Sequence, residues 1–253
     1  MDRLKYHEAA VELLPVRPTF SPERLKLLDN IEQNQNITLP ASLKEWYALD
    51  GAEAILGDHS DHDMPYDLLH RFGNLVVEGC LHIQGQEVGC WDWVLPLNGL
   101  DDPPVYEDDG NAVTRCSDTF SNWIYCRIWD VERTHYGLYH PMWRMNDRFP
   151  TIKVGNRNCP PPLPRRVLET FTLDRVDYPD GRTVYRYYRG KQYLRVLEGR
   201  YYYVTGETET DLEETLRELI IAGVPLEALT RHDSRRPSPA QRVLNKLSQN
   251  HLY

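Results

Sequence analysis

Leu39-Pro40-Ala41-Ser42-Leu43-Lys44-Glu45-Trp46-Tyr47-Ala48-Leu49-Asp50-Gly51 reads as a short helix with an abrupt stop. Pro40 launches it, since a proline at the start of a helix forfeits no intrahelical bond. Leu43, Trp46 and Tyr47 fall on one side, and Gly51 can take a left-handed terminal conformation at no steric cost. Upstream, Ser21 and Pro22 suit the cap and first turn of another helix, with Leu25, Leu28 and Ile31 on one face and Asn34-Gln35-Asn36 at its end. Two adjoining apolar faces of this kind should pack together.

Strand signals follow. Leu75 to Ile83 is rich in β-formers, and Gly85 offers a turn. From Gly89 to Leu95, the residues Trp91, Trp93 and Leu95 alternate with Cys90, Asp92 and Val94. Pro103-Pro104-Val105-Tyr106 reads as a strand, and Asp108-Asp109-Gly110-Asn111 turns it into a second one over Ala112 to Cys116. A helix from about Phe120 to Glu132 then carries a stripe of Phe120, Ile124, Ile128 and Val131. Helices, a run of hairpins and another helix predict an α+β fold with an antiparallel sheet.

Cys159-Pro160-Pro161-Pro162-Leu163-Pro164 is the clearest boundary, because consecutive prolines favour a stiff extended connector over a helix. Beyond it, Thr183 to Tyr188, Lys191 to Leu197 and Arg200 to Thr205 predict a three-stranded meander with turns at Arg189-Gly190 and Glu198-Gly199. Thr210 and Glu213 form a capping box for a helix with Leu212, Leu216, Leu219 and Ile220, closed by Gly223. Arg235 to Pro239 reads as a linker before a last helix bearing Val243, Leu244 and Leu247. The expected division is a first domain over residues 1–158, a connector over 159–164, a small β-meander-plus-helix domain over 165–223, and a linker with a terminal helix over 224–253.

Charge and cysteine usage bound the function. The chain has 253 residues and a formal charge of −9, distributed unevenly. Glu45 to Asp109 holds fifteen acidic residues against one basic residue, Arg71, whereas Leu163 to Thr205 holds nine basic residues against five acidic ones. An acidic surface repels nucleic acid and attracts basic partners, although acidic loops also serve solubility alone. No apolar run approaches the roughly 20 residues of a membrane helix, and the N-terminus lacks the apolar core of a signal peptide. Cys80, Cys90, Cys116, Cys126 and Cys159 are odd in number and form no CxxC pair, which fits reduced thiols in a cytoplasm.

The three stretches Leu39 to Gly51, Trp91 to Tyr106 and Phe120 to Ile124 together resemble the SUKH superfamily, which includes fungal cell-wall-assembly regulators and bacterial toxin-immunity proteins. The resemblance covers Ser21 to His135. It rests on the Leu39-Pro40 helix start, the Asp50-Gly51-Ala52 turn, the Trp91 to Leu95 and Pro103 to Tyr106 strands, and Phe120-Ser121-Asn122-Trp123. Ala52 stands where the family tends to have a second glycine. The resemblance implies an α+β binding scaffold without shared catalytic residues, with Pro40, Trp46 and Trp123 structural. It also implies a role in binding other proteins, for bacterial relatives a toxin, often a nuclease.

Other chemistries have weaker warrants. Asp58-His59-Ser60-Asp61-His62-Asp63 offers His59 and His62 as metal ligands, but the donors are too local to define a closed site. A solvated acidic loop is the simpler reading, and no metal or other cofactor is expected. His135 and His140, around Tyr136-Gly137-Leu138-Tyr139, could serve as acid or base, but partly buried histidines are far commoner than catalytic ones, and neither a nucleophile elbow nor a phosphate-cradling loop is present. Tyrosines and arginines interleave in the meander, among them Tyr185, Arg186, Tyr187, Tyr193, Arg195 and Tyr203. That pattern could stack bases, but it equally describes a strand with a solvent face, or a basic sheet docked on the acidic domain; nucleic acid is disfavoured. The expectation is a cytoplasmic, non-enzymatic protein that holds a basic toxin domain through Asp101, Asp102, Glu107, Asp108 and Asp109. A scaffold with a host partner and a metal-dependent hydrolase at the histidine loop are the alternatives.

Overall fold

A computed structural model describes residues 4–59, 63–86, 89, 91–134, 149–155, 163–231 and 238–249. The chain forms two units, Met1–Glu132 with Asp177–Gly181, and Arg133–Val176 with Arg182–Tyr253. Both are mixtures of helix and antiparallel sheet, so the α+β class holds.

In the first unit, α1 (Glu8–Leu13) precedes α2 (Pro22–Gln35), α3 (Ala41–Tyr47) and α4 (Ala52–Asp58). Ser21 Oγ accepts from the Arg24 amide at 3.4 Å, Pro22 fills the first turn of α2, and Asn36 closes it at φ 51°. Leu43, Trp46 and Tyr47 of α3 are fully buried. Gly51 is left-handed at φ 74°, but α3 has already ended at Tyr47, and the turn at Gly51 introduces α4 instead. The tail of α3 is taken by pairing: the Ser21 amide donates to Ala48 O and the Asp50 amide to Thr19 O, each at 2.8 Å. These bonds satisfy backbone groups that a longer helix would have used itself.

Next come β1 (Asp63–Pro65), α5 (Leu68–Leu75), β2 (Val76–Val77), β3 (Cys80–Gln86), β4 (Asp92–Pro96), β5 (Val105–Asp108), β6 (Val113–Ser117) and α6 (Phe120–Thr134). The sheet order is β1-β3-β4-β5-β6, with β2 beside β3. Leu75 ends a helix instead of starting a strand, because Leu68, Phe72 and Leu75 give α5 a buried face. The turn expected at Gly85 falls at Glu78-Gly79, where both residues have positive φ, and Gly85 lies within β3. One sheet face is covered by α6, whose Phe120, Trp123, Ile124 and Ile128 are buried. Arg127 of α6 lies 4.6 Å from the Trp93 ring and 4.3 Å from that of Trp123.

The second unit contains β7 (Thr151–Val154), α7 (Arg165–Leu168), β8 (Thr172–Asp177), β9 (Val184–Arg189), β10 (Gln192–Leu197), β11 (Tyr201–Gly206), α8 (Glu209–Ile221), β12 (Leu229–Arg231) and α9 (Pro239–Gln249). The last residue of β8, Asp177, belongs to the first unit. The expected meander is present as β9, β10 and β11, but it forms the centre of a sheet ordered β12-β7-β11-β10-β9-β8. This corrects the expected division. Strand β7 precedes the proline run and pairs with β11, while β12 and α9, assigned to a linker and a separate helix, complete the same sheet and core. A bare meander would leave β11 as an open edge, which β7 covers, and β12 pairs in turn with β7. The prolines at 160–162 lie outside the described residues.

Helix α8 is closed by a capping box formed by Thr208 and Asp211 and not by Thr210 and Glu213. The Asp211 amide donates to Thr208 Oγ1 at 3.2 Å, and the Thr208 amide donates back to Asp211 Oδ2 at 3.0 Å. Gly206 fixes this earlier start. A Cβ there would collide with the Leu212 amide nitrogen and lie 2.8 Å from Thr208 O, so the helix can begin close against β11.

Candidate binding face

Strand register, more than sequence proximity, determines which acidic residues stand together. Met64 of β1 pairs with Gly85 of β3, Gly85 with Asp92 of β4, Asp92 with Asp108 of β5, and Asp108 with Val113 of β6. Paired residues in antiparallel strands project to the same face, so these five form one row across the sheet. The next row on that face runs His82, Val94, Tyr106 and Arg115. Alternation puts Trp93 and Glu107 on the other face, where Trp93 meets α6. The ends of the first row are apolar and open: Met64 is 57% exposed and Val113 62%. Between them, Asp92 and Asp108 pair on neighbouring strands.

Asp92 is held at both oxygens. Tyr66 Oη donates to Oδ1 at 2.9 Å, and His82 Nδ1 lies 2.7 Å from Oδ2. Tyr66 continues the ladder beyond β1, its amide donating to Ile83 O at 3.1 Å. Its ring can lie against β3 because Gly85 has no side chain; a Cβ there would collide with the phenol oxygen and lie 2.8 Å from both Tyr66 Cζ and Asp92 Oδ1. Burial, reinforced by the bond to Asp92, pushes the Tyr66 hydroxyl up to about 12. Tyr66, His82 and Asp92 are thus a positioned polar set on a sheet face.

The five residues expected to form an acidic surface are divided by this geometry. Asp108 and Asp109 make the β5–β6 turn: Asp108 Oδ1 accepts from the Gly110 amide at 2.9 Å, and Asp109 Oδ1 accepts from the Asn111 and Ala112 amides at 2.8 Å. Those amide bonds hold the Asp109 carboxyl below its usual range. Asp101 and Asp102 lie before the other end of β5, on the order of 15 Å away at a strand's rise per residue. Asp102 secures the start of α6, accepting from the Ser121 amide at 3.0 Å and from Ser121 Oγ at 2.5 Å. Asp101 stays exposed, with its carboxylate accepting from Tyr6 Oη at 3.1 Å. Glu107 points to the helix-covered face. Asp108 and Asp109 share one end of the sheet with Asp92, while Asp101, Asp102 and Glu107 stand apart from it. Asp92, Tyr66 and His82 were missed, and the alternation of Trp91, Trp93 and Leu95 was the available signal, since it turns Asp92 to the opposite face.

The remaining candidates also acquire positions. His59 ends α4 with Nδ1 2.7 Å from Ile55 O and Nε2 3.0 Å from Glu132 Oε1, both side chains being buried. Both ring nitrogens therefore already face protein acceptors. His62 lies outside the described residues, as do His135, His140, Cys90 and Cys159. Among the described residues, no group of three or more His, Cys, Asp and Glu could hold a metal. Cys80, Cys116 and Cys126 are in no disulfide among the described residues, and burial raises the Cys116 thiol.

In the second unit, register puts Tyr185, Tyr187 and Tyr202 on one face of the sheet, and Arg186, Arg195 and Tyr203 on the other. Arg186 and Arg195 are buried. Tyr193 shares the face of Arg186, Arg195 and Tyr203, and it is buried there with them. No helix among the described residues is long and apolar enough to cross a membrane. Comparison with protein-family models, curated proteins and solved structures found no match for the chain.

Proposed function

We propose that the chain is a non-enzymatic protein-binding module that neutralises a cognate toxin by direct contact, in the manner of SUKH-type immunity proteins, within the cytoplasm. The resemblance of Leu39 to Gly51, Trp91 to Tyr106 and Phe120 to Ile124 to that superfamily motivates the family. The observation that carries the surface is the register pair Asp92 and Asp108, with Asp109 beside it and Met64 and Val113 at the rims. A negative centre with apolar flanks suits a basic toxin domain: charge steers the encounter and the apolar contacts retain it. Covering the toxin's active cleft, or the surface its substrate needs, would neutralise it.

Co-expression with the products of neighbouring genes tests this reading. A neighbour that arrests growth alone should be tolerated with this chain present, and protection should fail for the isosteric triple variant Asp92→Asn, Asp108→Asn, Asp109→Asn. Full protection by the triple variant would reject the surface. If no neighbour is toxic and a host protein co-purifies through the same face, the scaffold reading replaces the toxin one.

A further inference from the structure

His7 is buried where a charge is costly, on a segment that little else holds in place. We propose that Leu4 to Leu13 is a pH-gated strap: protonation of His7 drives its ring out of the slot between Trp46 and Phe120 and releases the segment from α3. The strap operates whether or not the sheet face binds a partner.

Glu45 of α3 holds the strap by its backbone, accepting from the Lys5, Tyr6 and His7 amides at 2.7, 2.8 and 2.9 Å. His7 is fully buried, its ring centroid 5.2 Å from that of Trp46 and 5.7 Å from that of Phe120. Ser42 O lies 2.9 Å from Nε2 and can only accept, so Nε2 carries the proton. Nδ1 is buried with no hydrogen-bond partner among the described residues. The neutral ring fits this slot, whereas a second proton would place a charge in a site closed to water, on a nitrogen without an acceptor. Two carboxylates face the imidazole, Glu45 from α3 and Asp102 from the segment before β5. Both favour protonation, but burial outweighs them. Each is already engaged, Glu45 by the strap amides and Asp102 by Ser121. Phe120 brings no charge from α6, and on the strap itself Lys5 is paired with Asp101 and Glu8 with Arg17.

The remainder of the strap is lightly held. In α1 only Ala10 and Val11 are buried, and the chain leaves that helix extended at Leu14. Pro15 and Pro18 then bracket a Val16 that is 77% exposed. A segment with so few buried apolar contacts opens at less cost than the whole unit. The open strap binds a proton that the closed one resists. The closed form is therefore fully favoured above the ordinary histidine value of about 6.5, and it loses ground as pH falls below that, by up to about tenfold in the opening equilibrium per pH unit.

Amide hydrogen exchange of the full chain from about pH 7.5 to about pH 5, corrected for the intrinsic pH dependence of exchange, reads the opening. The reporters are Lys5, Tyr6, His7 and Val11, whose amide donates to His7 O at 2.9 Å. Even at the upper pH these amides should exchange at least about tenfold faster than those of β3 and β4. Their protection should then fall by up to about tenfold per pH unit below about 6.5. His7→Phe, which keeps a ring in the slot, should abolish that fall. In the unsubstituted chain, the ring resonances of His7 should titrate below about pH 6.5. Equal protection in strap and sheet overturns the strap as a separate opening unit. Strap protection that is flat with pH, or that falls equally in His7→Phe, overturns His7 as its gate, as does a His7 ring that titrates at or above the ordinary value.

Discussion

Gly85→Ala is the sharpest probe of how the candidate face is built. Gly85 is not among the positive-φ glycines, so its backbone places no demand on glycine. The demand comes from Tyr66, whose phenol oxygen occupies the place of the new methyl, with Cζ at 2.8 Å and Asp92 Oδ1 at 2.8 Å. The far end of a tyrosine can swing aside, so the cost is what Tyr66 gives up. Its 2.9 Å bond to the Asp92 carboxylate contributes about 1.5 kcal/mol, the low end for a charged acceptor at a partly buried site. The contact of its half-buried ring adds about 1 kcal/mol. Alanine returns about 0.5–1 kcal/mol over glycine within a strand. The substitution should therefore destabilise the first unit by about 2 kcal/mol, whereas in a Tyr66→Ala background it should be neutral or stabilising by up to about 1 kcal/mol. Trp46, Trp91, Trp93, Trp123 and Trp129 all belong to this unit, so tryptophan fluorescence during urea unfolding reads the cycle. An equal cost in both backgrounds would refute the cradle.

Gly206→Ala differs in kind, because its Cβ would meet backbone of α8, namely the Leu212 amide nitrogen, Thr208 O and Asp211 C; a loss above about 3 kcal/mol is expected, and a thermal shift worth under 1 kcal/mol would contradict it. Thr208→Ala should cost about 1 kcal/mol and Thr210→Ala well under half of that, with the reverse order returning the capping box to Thr210. Burial holds the His7 imidazole below its ordinary value, against the opposing pull of the Ser42 carbonyl, Glu45 and Asp102. The unfolded chain then binds a proton that the folded one resists, so stability present above pH 6.5 declines as pH falls through that value, by up to about 1.4 kcal/mol per pH unit. His7→Phe, a ring of similar size between Trp46 and Phe120, should flatten that decline in pH-dependent urea midpoints, and an unchanged slope would contradict the assignment.

Locally encoded elements were legible in the sequence, and partnerships between distant segments were not. Ser21-Pro22, the Phe120 stripe, the Asp108 to Asn111 turn and the three strands of the meander each announce themselves within a few residues, and each is present. Thr151–Val154 and Leu229–Arg231 are too short to signal a strand alone; the first becomes one by covering the edge of the meander, the second by pairing with the first. Gly51 has the left-handed conformation expected of it, but pairing between Thr19 to Ser21 and Ala48 to Asp50 settles where α3 ends. The acidic bias of Glu45 to Asp109 was plain, yet bias along a chain does not specify a surface. The cross-strand register drew Asp92 to Asp108 and set Glu107 on the opposite face, and a one-residue slip would have exchanged the two. Nothing in the local sequence announces that Asp102 fastens Ser121 at the start of α6, nineteen residues on.

Amide hydrogen exchange of the chain with and without the growth-arresting neighbour tests the central claim most directly. Protection gained on complex formation should concentrate in the β1–β3, β4 and β5–β6 segments around Met64, Asp92, Asp108 and Val113, and the Asp92→Asn, Asp108→Asn double variant should lose it. Protection centred on Asp101 and Asp102, with the sheet face unchanged, would contradict the account.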